Sequence, residues 1–417
     1  MEFGNILIYM TSFFGLFTTT YFLFTLFQSK SEWWKGDPKE CRPVTVCVPC
    51  FNEEKTVLRT LRSLLDLDYD RDKLEIIVVD DGSNDNTYSI AKEYADSRPD
   101  YDIKVFRKEN GGKYTALNLA LEKCRGEFFG ALDADSYVDR KALKRIMKYF
   151  EDNKVTAVTP AMMIGEPKSF IQKIQAVEFH LGVLLRKVFA LMGSIHVTPG
   201  PFSIFRKSFF DKYGGYKKGH LTEDIELSLR IQDKGGIIEN ALDGYVYTLG
   251  ENNWTALKKQ RTRWYFGFLR NMIDYKHLFS PKQGSLGLFI LPISIISVVL
   301  LIISILYAFY SVTEQAITKI SNLAAINFDL SEMSLFNFDI FFLNMEPYII
   351  LGFIGLFVTI GFIVFAKKLS KDPEKKFRSY IYFLIAYWVL YGYWWALSIY
   401  QAFFKKDRKW GHKSGDC

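Results

Sequence analysis

The stretch Ala131-Leu132-Asp133-Ala134-Asp135 places two carboxylates, separated by one small residue, at the end of the apolar run 128–132. A short apolar run bounded by turn residues is typical of a buried strand, and in an open α/β sheet the carboxyl ends of the strands face the ligand crevice. Alternation along an extended segment directs Asp133 and Asp135 to one side, with room between them for a hard divalent cation and phosphate oxygens. Asp-x-Asp is also common in solvated turns, so other parts of the chain must decide between a turn and a metal site.

Strands and helices alternate on both sides of this stretch. We predict strands over residues 44–49, 74–79, 103–106, 128–132 and 155–159, and helices over 52–67, after 83–86, over 114–123 and over 140–151. This alternation predicts right-handed crossovers and a mainly parallel sheet. The scaffold is therefore of a nucleotide-binding type.

Polar side chains follow three of the predicted strands, at the edge where parallel strands end. They are Asn52 and Glu53, Asp80 and Asp81, and Asp133 and Asp135. Each pair alone is also typical of a helix cap or a turn. Together they would crowd several carboxylates into one crevice, which is costly unless a cation or a donor-rich ligand compensates their charge. The set therefore favours a ligand site over isolated turns.

Lys113 follows the glycine turn Asn110-Gly111-Gly112 and would supply positive charge to a phosphate. The chain has neither a G-x-x-x-x-G-K-[ST] P-loop nor a G-x-G-x-x-G fingerprint at this position. NAD and ATP chemistry of the usual kinds is therefore disfavoured.

Thr222-Glu223-Asp224 is expected to begin a helix, with Thr222 as a natural N-cap. A carboxylate at this position can simply stabilise the helix N-terminus. It can also act as a general base, because the helix end directs it outward into the crevice. Both interpretations stay open at this point.

Two later segments combine apolar and charged residues. Residues 170–192 are apolar-rich but carry charges, which favours an interfacial helix over a membrane span. Residues 253–279 are amphipathic and contain Gln260-Arg261-Thr262-Arg263-Trp264, in which Gln260 and Trp264 share one helix face. That face suits the membrane interface, and it equally suits a sugar site beside the helix.

The apolar composition is typical of a membrane protein with a soluble middle. Hydrophobic residues make up 49% of the 417 residues. Four stretches are long enough to span a bilayer, at residues 3–27, 286–310, 348–366 and 381–404. We interpret the first as an anchor and not as a cleavable signal, because no Lys or Arg precedes it and its apolar run is too long.

Basic residues predict the orientation of these spans. Lysines after the first span, with Trp33 and Trp34 beside them, place the central region in the cytoplasm. The acidic segment 311–346 is expected outside and the basic connection 367–378 inside. Three crossings after the middle would leave the C-terminus outside, whereas its basic residues favour the inside. Either one apolar stretch does not cross fully, or residues 335–343 join an extra crossing or a re-entrant segment, so the number of crossings stays open.

The five cysteines are expected to be free thiols in a cytoplasmic setting. Cys47 and Cys50 form a C-x-x-C, but no second pair or nearby histidine completes a zinc site. No helix opens between them, which disfavours a redox pair.

Four motifs occur in a fixed order along the chain: Asp80-Asp81-Gly82-Ser83, Asp133-Ala134-Asp135, Thr222-Glu223-Asp224 and Gln260-Arg261-Thr262-Arg263-Trp264. In this order and approximate spacing they resemble the processive, membrane-embedded family 2 glycosyltransferases. These include cellulose, chitin, hyaluronan and bacterial poly-N-acetylglucosamine synthases. The resemblance covers about residues 44–404, and the overall size is most similar to that of the poly-N-acetylglucosamine synthases.

The resemblance implies an α/β GT-A fold, with a Rossmann-like mixed sheet in a cytoplasmic domain, interfacial amphipathic helices and α-helical transmembrane segments. We therefore expect a transmembrane anchor at 1–30, a GT-A domain at 40–250, interface helices at 251–284, a transmembrane region at 285–405 and a basic tail at 406–417. The tail residues Arg408-Lys409-Trp410 only loosely resemble the gating loop of the family, and their role stays open.

The same resemblance implies roles for individual residues. The donor would be bound by Asn52, Glu53, Asp80, Asp81, Lys113, Asp133 and Asp135, of which Asp133 and Asp135 would also bind Mg²⁺ or Mn²⁺. Asp224 is implied as the general base, with Glu223 beside it as a second catalytic carboxylate. The acceptor and the leaving diphosphate would be held by Gly200, Ser203, Gln260, Arg263 and Trp264.

The implied function is a membrane-bound inverting hexosyltransferase that extends a β-linked polysaccharide from a UDP-sugar, first of all UDP-N-acetylglucosamine, and helps to translocate it. The alternative is a single addition to a polyprenyl phosphate or another lipid acceptor. A transporter or scaffold that only binds nucleotide sugar is disfavoured, because intramembrane charge is sparse. The expected partners are the UDP-sugar, a polysaccharide or lipid-linked acceptor and the lipid bilayer. An export or accessory subunit is left open, and nucleic acid is not expected.

Overall fold

The computed structural model describes residues 3–29, 33, 35–325, 347–370 and 377–404. Several predicted features lie outside these residues. They are Trp34, the segment 335–343, most of the basic connection and the tail 406–417 with Arg408-Lys409-Trp410.

Within the described residues, eight strands form one mixed sheet. They are β1 (Val44–Cys50), β2 (Leu74–Asp80), β3 (Asp102–Arg107), β4 (Phe128–Ala131), β5 (Ser136–Val138), β6 (Val155–Ile164), β7 (Ile204–Arg206) and β8 (Ile237–Thr248). The strand order is β3-β2-β1-β4-β7-β6-β8-β5. The first four neighbours are parallel, as predicted, whereas β7 is antiparallel to both β4 and β6. The parallel half therefore brings the ends of β1, β2 and β4 side by side.

The helices alternate with the strands and continue into the membrane region. They are α1 (Phe3–Gln28), α2 (Val57–Leu65), α3 (Thr87–Asp96), α4 (Lys113–Lys123), α5 (Ala142–Met147), α6 (Phe170–Leu191), α7 (Lys207–Tyr213), α8 (Glu223–Asp233), α9 (Trp254–Asp274), α10 (Leu291–Ala325), α11 (Pro347–Leu369) and α12 (Phe377–Phe404). The helix expected from residue 52 begins later, at Val57. Asn52 has a φ of 56°, in the left-handed region, which no helix interior tolerates.

Apolar side chains are buried on both faces of the sheet. Val46 and Val48 of β1 pack in one cluster with Leu61 of α2. Cys47 of the same strand packs in the opposite cluster with Ala116 of α4. Burial on both faces explains why the sequences of β1 and β2 are nearly continuous apolar runs. The described cysteines are free, as expected.

Three described helices are long and apolar enough to cross a membrane: α1, the helix Leu286–Ala325 that contains α10, and Ile349–Leu369 of α11. A fourth is present if Ser379–Ile385 and Tyr387–Phe404, which are bent by 50° relative to each other, form one span. These helices coincide with the four predicted apolar stretches. The chain is therefore a membrane protein.

Helix α6 lies between the sheet and the apolar helices, and α9 lies between α8 and α12. One side of α6 contacts β6 and β8, and another contacts α11 and α12, while α9 runs along α12. Tyr265 of α9 stacks on Trp395 of α12 with their ring centroids 4.5 Å apart. The residues that follow the sheet are thereby attached to the membrane helices by aromatic packing.

We predict that Glu75 of β2 stabilises the outer half of the sheet. Its buried carboxylate accepts hydrogen bonds from Lys104 Nζ at 2.6 Å, Thr45 Oγ1 at 2.6 Å and Arg125 Nε at 2.9 Å. Burial raises the pKa of Glu75, but the hydrogen bonds, Lys104 first, outweigh it and lower the pKa to about 2. Glu75→Gln should therefore cost about 1–2 kcal/mol at neutral pH.

The pH dependence supplies the check. Because the folded pKa lies below the ordinary value of 4.5, this stabilisation is complete above that pH and is lost as the pH falls towards 2. The difference in Tm between wild type and Glu75→Gln should narrow between pH 6 and pH 3. Glu122→Gln, at an exposed position, is the control, and its Tm should equal that of wild type throughout this pH range. A pH-independent gap for Glu75→Gln would contradict the assignment.

Candidate functional site

Lys113 joins carboxylates from two distant parts of the chain. Its Nζ lies 2.5 Å from Oδ1 of Asp133, just after β4, and 3.4 Å from Oε1 of Glu223, the first residue of α8. Burial would lower the pKa of Lys113, but Asp133 and then Glu223 outweigh burial and raise it. One ammonium group therefore links the edge of the sheet to the start of α8.

Two further carboxylates near Lys113 hold their protons more tightly than usual. Burial, and then the charge of Asp133, raise the pKa of Asp135 to about 7. Burial, and then the charge of Glu223, raise the pKa of Asp224 to about 6, although Lys113 and Arg263 act in the opposite direction. The predicted carboxylates thus form one electrostatic cluster with more negative than positive charge.

The pair Asp133 and Asp135 fits a divalent cation that is shared with a ligand. Among the described residues, no group of three His, Cys, Asp or Glu side chains is arranged to hold a metal. Mg²⁺ is often held by only one or two carboxylates together with substrate phosphates and water. Repulsion from the charge of Asp133 contributes to the raised pKa of Asp135. A cation bound between the two carboxylates would remove this repulsion. The donor set therefore suits a cation bound together with a diphosphate.

The loop 199–203 closes one side of the cluster. A Cβ atom at Gly200 would lie 2.9 Å from Lys113 Nζ and 3.6 Å from Asp133 Oδ2, so this glycine contacts the cluster directly. Ser203 instead fixes the loop, because its Oγ donates to the carbonyl of Pro199 at 2.6 Å. Of the two predicted residues in this loop, Gly200 thus lies at the cluster and Ser203 supports it.

Asn52 and Glu53 lie after β1, beside the loop that follows β2. The side-chain oxygen of Asn52 accepts a hydrogen bond from the backbone of Asn84 at 2.9 Å. Glu53 lies nearer the cluster, since its charge contributes to the raised pKa of Asp135. These two residues therefore connect the predicted donor side to the carboxylate pair.

Asp80 and Asp81 have different surroundings although they are adjacent. Asp80 pairs with Arg107 Nε at 3.2 Å. Asp81 accepts hydrogen bonds from the backbone N–H groups of Gly111 at 3.1 Å and Gly112 at 2.8 Å, and from Lys108 Nζ at 2.6 Å. Asp81 thus holds the turn that precedes Lys113, and its contact with a donor stays a prediction.

The three predicted residues of α9 reach different partners. Gln260 Nε2 donates to Glu251 at 3.2 Å, and Trp264 packs against the apolar cluster that contains Phe179. Arg263 Nη1 donates to the carbonyl of Leu221 at 2.9 Å, just before α8. Of these three, Arg263 acts on the carboxylate cluster, whereas Gln260 and Trp264 contact residues outside it.

Arg261 is a residue of this motif that the sequence analysis did not single out. It is fully buried, with Nη2 2.5 Å from Glu178 of α6 and its guanidinium 4.3 Å from the centre of the Trp264 ring. It also donates to the side chain of Gln260. A charged Glu178 within the apolar segment 170–192 was the available signal, since such a charge needs a partner.

Comparison with known proteins assigns the chain to a family. The family model Glycosyl transferase family 2 matches residues 45–214. The model Glycosyl transferase family group 2 matches residues 130–401, more than half of the chain. The chain belongs to glycosyl transferase family group 2. The predicted resemblance to family 2 glycosyltransferases is therefore confirmed.

Two curated relatives of this glycosyltransferase family member are poly-beta-1,6-N-acetyl-D-glucosamine synthases. The one from Staphylococcus aureus (strain COL) is 32% identical over 272 residues, which are 63% of this chain and 65% of the relative. The one from Staphylococcus epidermidis is 32% identical over 234 residues, 55% of each protein. The chain thus matches less than two thirds of the length of these relatives.

A solved structure supports the fold of the glycosyltransferase family member. The mannosyltransferase PcManGT from Pyrobaculum calidifontis, in complex with GDP-Man and Mn²⁺, matches 97% of this chain and 99% of that chain. The TM-score is 0.62 and the sequence identity is 20%, so the likeness concerns the fold alone. The predicted GT-A domain with C-terminal helices is thereby confirmed.

We predict that the Arg261–Glu178 pair stabilises the junction of α6 and α9. Arg261→Met should cost about 3 kcal/mol, because it leaves a partly buried carboxylate without its cation. The double variant Arg261→Met with Glu178→Leu should recover most of that loss. Thermal unfolding in detergent measures both.

Arg71→Met, in an exposed ion pair with Asp100, is the control and should cost less than about 1 kcal/mol. The single variant Glu178→Leu completes the cycle. If the stability loss of the double variant equals the sum of the two single losses, the two side chains do not act as a pair.

Proposed function

We propose that the chain is a membrane-bound inverting glycosyltransferase that adds sugar from a UDP-sugar to the growing end of a β-linked polysaccharide. The observation that carries this proposal is the single cluster formed by Asp133, Asp135, Glu223 and Asp224 around Lys113. Such a cluster combines acidic groups for a cation and a base with a lysine for a diphosphate. The family and its polysaccharide-synthase relatives make this chemistry the best match.

The donor site would lie at the ends of β1, β2 and β4. Asn52, Glu53 and Asp80 would contact the nucleoside, and Lys113 would contact the diphosphate. Asp133 and Asp135 would hold Mg²⁺ or Mn²⁺, which would stabilise the negative charge on the departing diphosphate. PcManGT, a relative in fold, was solved with GDP-Man and Mn²⁺, and poly-N-acetylglucosamine synthases make UDP-N-acetylglucosamine the first donor to test.

Asp224 would act as the general base. The pKa of Asp224 is raised and so lies nearer to neutral pH than that of an ordinary aspartate. A general base is most effective when its pKa is close to the working pH. Glu223 contributes to that shift and is held by Lys113. An inverting displacement needs a base on the side opposite the leaving group, and α8 brings Asp224 to the cluster from outside the sheet.

The acceptor would lie along α9, where Gln260, Arg263 and Trp264 are placed, with Gly200 on the opposite side. We infer that the GT-A domain at 40–250 is cytoplasmic and that the helices at 285–405 pass the product through the bilayer. The N-terminal anchor at 1–30, the interface helices at 251–284 and the multi-pass topology are parts of the same proposal. Packing of α9 against α12 supports a continuous path from site to membrane.

A product assay tests the proposed function. Membranes that contain the protein should be incubated with a panel of radiolabelled UDP-sugars and Mn²⁺, and the product should be sized. We expect a polymer from one UDP-sugar. A product one sugar long, attached to lipid, would favour single addition, and binding of UDP-sugar without turnover would favour a scaffold.

We predict that Asp224→Asn abolishes transfer but leaves donor binding intact. Loss of a general base typically costs about 10²- to 10⁴-fold in rate. Binding of UDP with Mn²⁺, measured by calorimetry, should stay within about twofold of wild type, because donor contacts lie elsewhere in the cluster. Asp211→Asn, at an exposed position paired with Lys207, is the control. Full turnover by Asp224→Asn would refute the assignment.

We predict an acid limb in the rate profile. The base must be ionised in the free enzyme, so kcat/KM should rise with pH and level off above the pKa of about 6 of Asp224. At pH 5 the rate should be roughly tenfold below the plateau, since about one carboxylate in ten is ionised there. Initial rates at donor concentrations well below KM, between pH 5 and pH 8, provide the measurement, and a flat profile would contradict it.

A further inference from the structure

The loop just before α8 has an unusual backbone. Gly219, His220 and Leu221 have φ values of 51°, 52° and 71°, so three successive residues lie in the left-handed region. Residues with a side chain rarely adopt this region, and each costs free energy unless surrounding contacts hold it there. Since Asp224 follows this loop after two residues, whatever holds the loop also sets the position of that carboxylate.

Three side chains of α9 hold this loop: Arg263 contacts Leu221, Asp274 contacts His220, and Asn271 contacts Gly219. Of these, Asn271 is the buried one. Its Nδ2 lies 3.0 Å from the carbonyl oxygen of Gly219 and 3.0 Å from Oγ1 of Thr222. It also lies 2.9 Å from the carbonyl of Gly267, one turn earlier on α9. Only 1% of Asn271 is exposed to solvent, so these hydrogen bonds do not compete with water.

Thr222 takes part in this contact and not in capping α8. It occupies the N-cap position, as predicted, but its hydroxyl makes no cap hydrogen bond. The hydroxyl instead donates to Gly219 at 2.8 Å and accepts from Asn271. The loop and α9 are thus joined through one shared hydroxyl group.

Gly267 allows the close approach of α9 that these hydrogen bonds require. A Cβ atom at Gly267 would lie 2.2 Å from Oγ1 of Thr222. Any side chain here would therefore push α9 away from the loop. The close packing of α9 against the loop therefore depends on the absence of a side chain at Gly267.

The loop has space to move when it is not held. The loop forms one wall of an open pocket of about 520 Å³, whose other lining residues include Phe266, Asn271 and Tyr275. A strained segment beside open volume relaxes when its restraints are removed. The hydrogen bonds of Asn271 therefore restrain a loop that has free volume on one side.

We propose that Asn271 is a positioning residue that sets the location of Asp224 through Gly219 and Thr222. The proposal rests on the proposed function, in which Asp224 is the base. The same rigid helix carries Gln260 and Trp264, so Asn271 would fix the base relative to the acceptor. A displacement of about 1 Å at a reacting group is enough to lower a rate by about 100-fold.

Asn240 provides a matched control for the test. It is a fully buried asparagine whose Nδ2 lies 3.0 Å from Thr159 Oγ1 and 3.3 Å from the carbonyls of Thr159 and Pro160. Asn240→Ala therefore removes a comparable set of buried hydrogen bonds from the fold without touching the loop. Comparison of Asn271→Ala with Asn240→Ala therefore separates the effect of lost stability from the effect of a displaced Asp224.

We expect kcat of Asn271→Ala to fall about 10- to 100-fold below that of Asn240→Ala, with donor KM and UDP binding within about twofold of wild type. Thr222→Val, which keeps shape and removes the hydroxyl, should lower kcat in the same way even if Asn271→Ala folds poorly. The double variant should be no slower than the slower single variant, because both act through one contact.

Two outcomes overturn the proposal: a kcat for Asn271→Ala and Thr222→Val within about twofold of the control, or additive losses in the double variant. Asp224→Asn is measured in parallel. If it abolishes transfer while the Asn271 and Thr222 variants are normal, only the positioning role fails. If it retains transfer, the assignment of the base itself fails.

Discussion

The contact of Lys113 with Asp133 and Glu223 is the interaction on which the arrangement of the site depends. Asp133 belongs to the sheet edge and Glu223 to a helix formed 90 residues later, and nothing in either element alone directs them together. Without the ammonium, the repulsion among the carboxylates would oppose the approach of α8 to the sheet. Asp81 helps to position this lysine, because it accepts hydrogen bonds from the glycine turn that precedes Lys113.

The second structural requirement is the attachment of α9. Its buried Arg261 pairs with Glu178 of α6, Tyr265 stacks on Trp395 of α12, and Arg263 reaches the loop before α8. One helix therefore contacts the membrane helices along one side and the carboxylate cluster along another. In the proposed function, α9 would thus link the residues that add sugar to the helices that pass the product.

The sequence predicted the parallel half of the fold well because β1, β2 and β4 are buried apolar runs that end next to polar residues. The edge strand β3 is only partly buried. The sequence also brought Asp133, Asp135 and Asp224 to one site by resemblance. It missed β5 and β7, which are three residues each and pair in antiparallel fashion, so no periodicity marks them. It also missed β8, which at twelve residues is the longest strand of the sheet. Arg261 and Asn271 were missed because their roles arise from partners on other elements, Glu178 and Gly219, that local pattern does not connect.

In the proposed function, Asp133 and Asp135 would bind a cation together with a diphosphate, and Lys113 would exchange its contact with Asp133 for one with that diphosphate. A structure of the protein with UDP and Mn²⁺, with the metal located by its anomalous scattering, tests this directly. The account predicts Mn²⁺ between the two aspartates and the diphosphate, with Lys113 Nζ moved from Asp133 to a phosphate oxygen. Mn²⁺ bound elsewhere, or UDP bound while the Lys113–Asp133 contact stays at 2.5 Å, would contradict it.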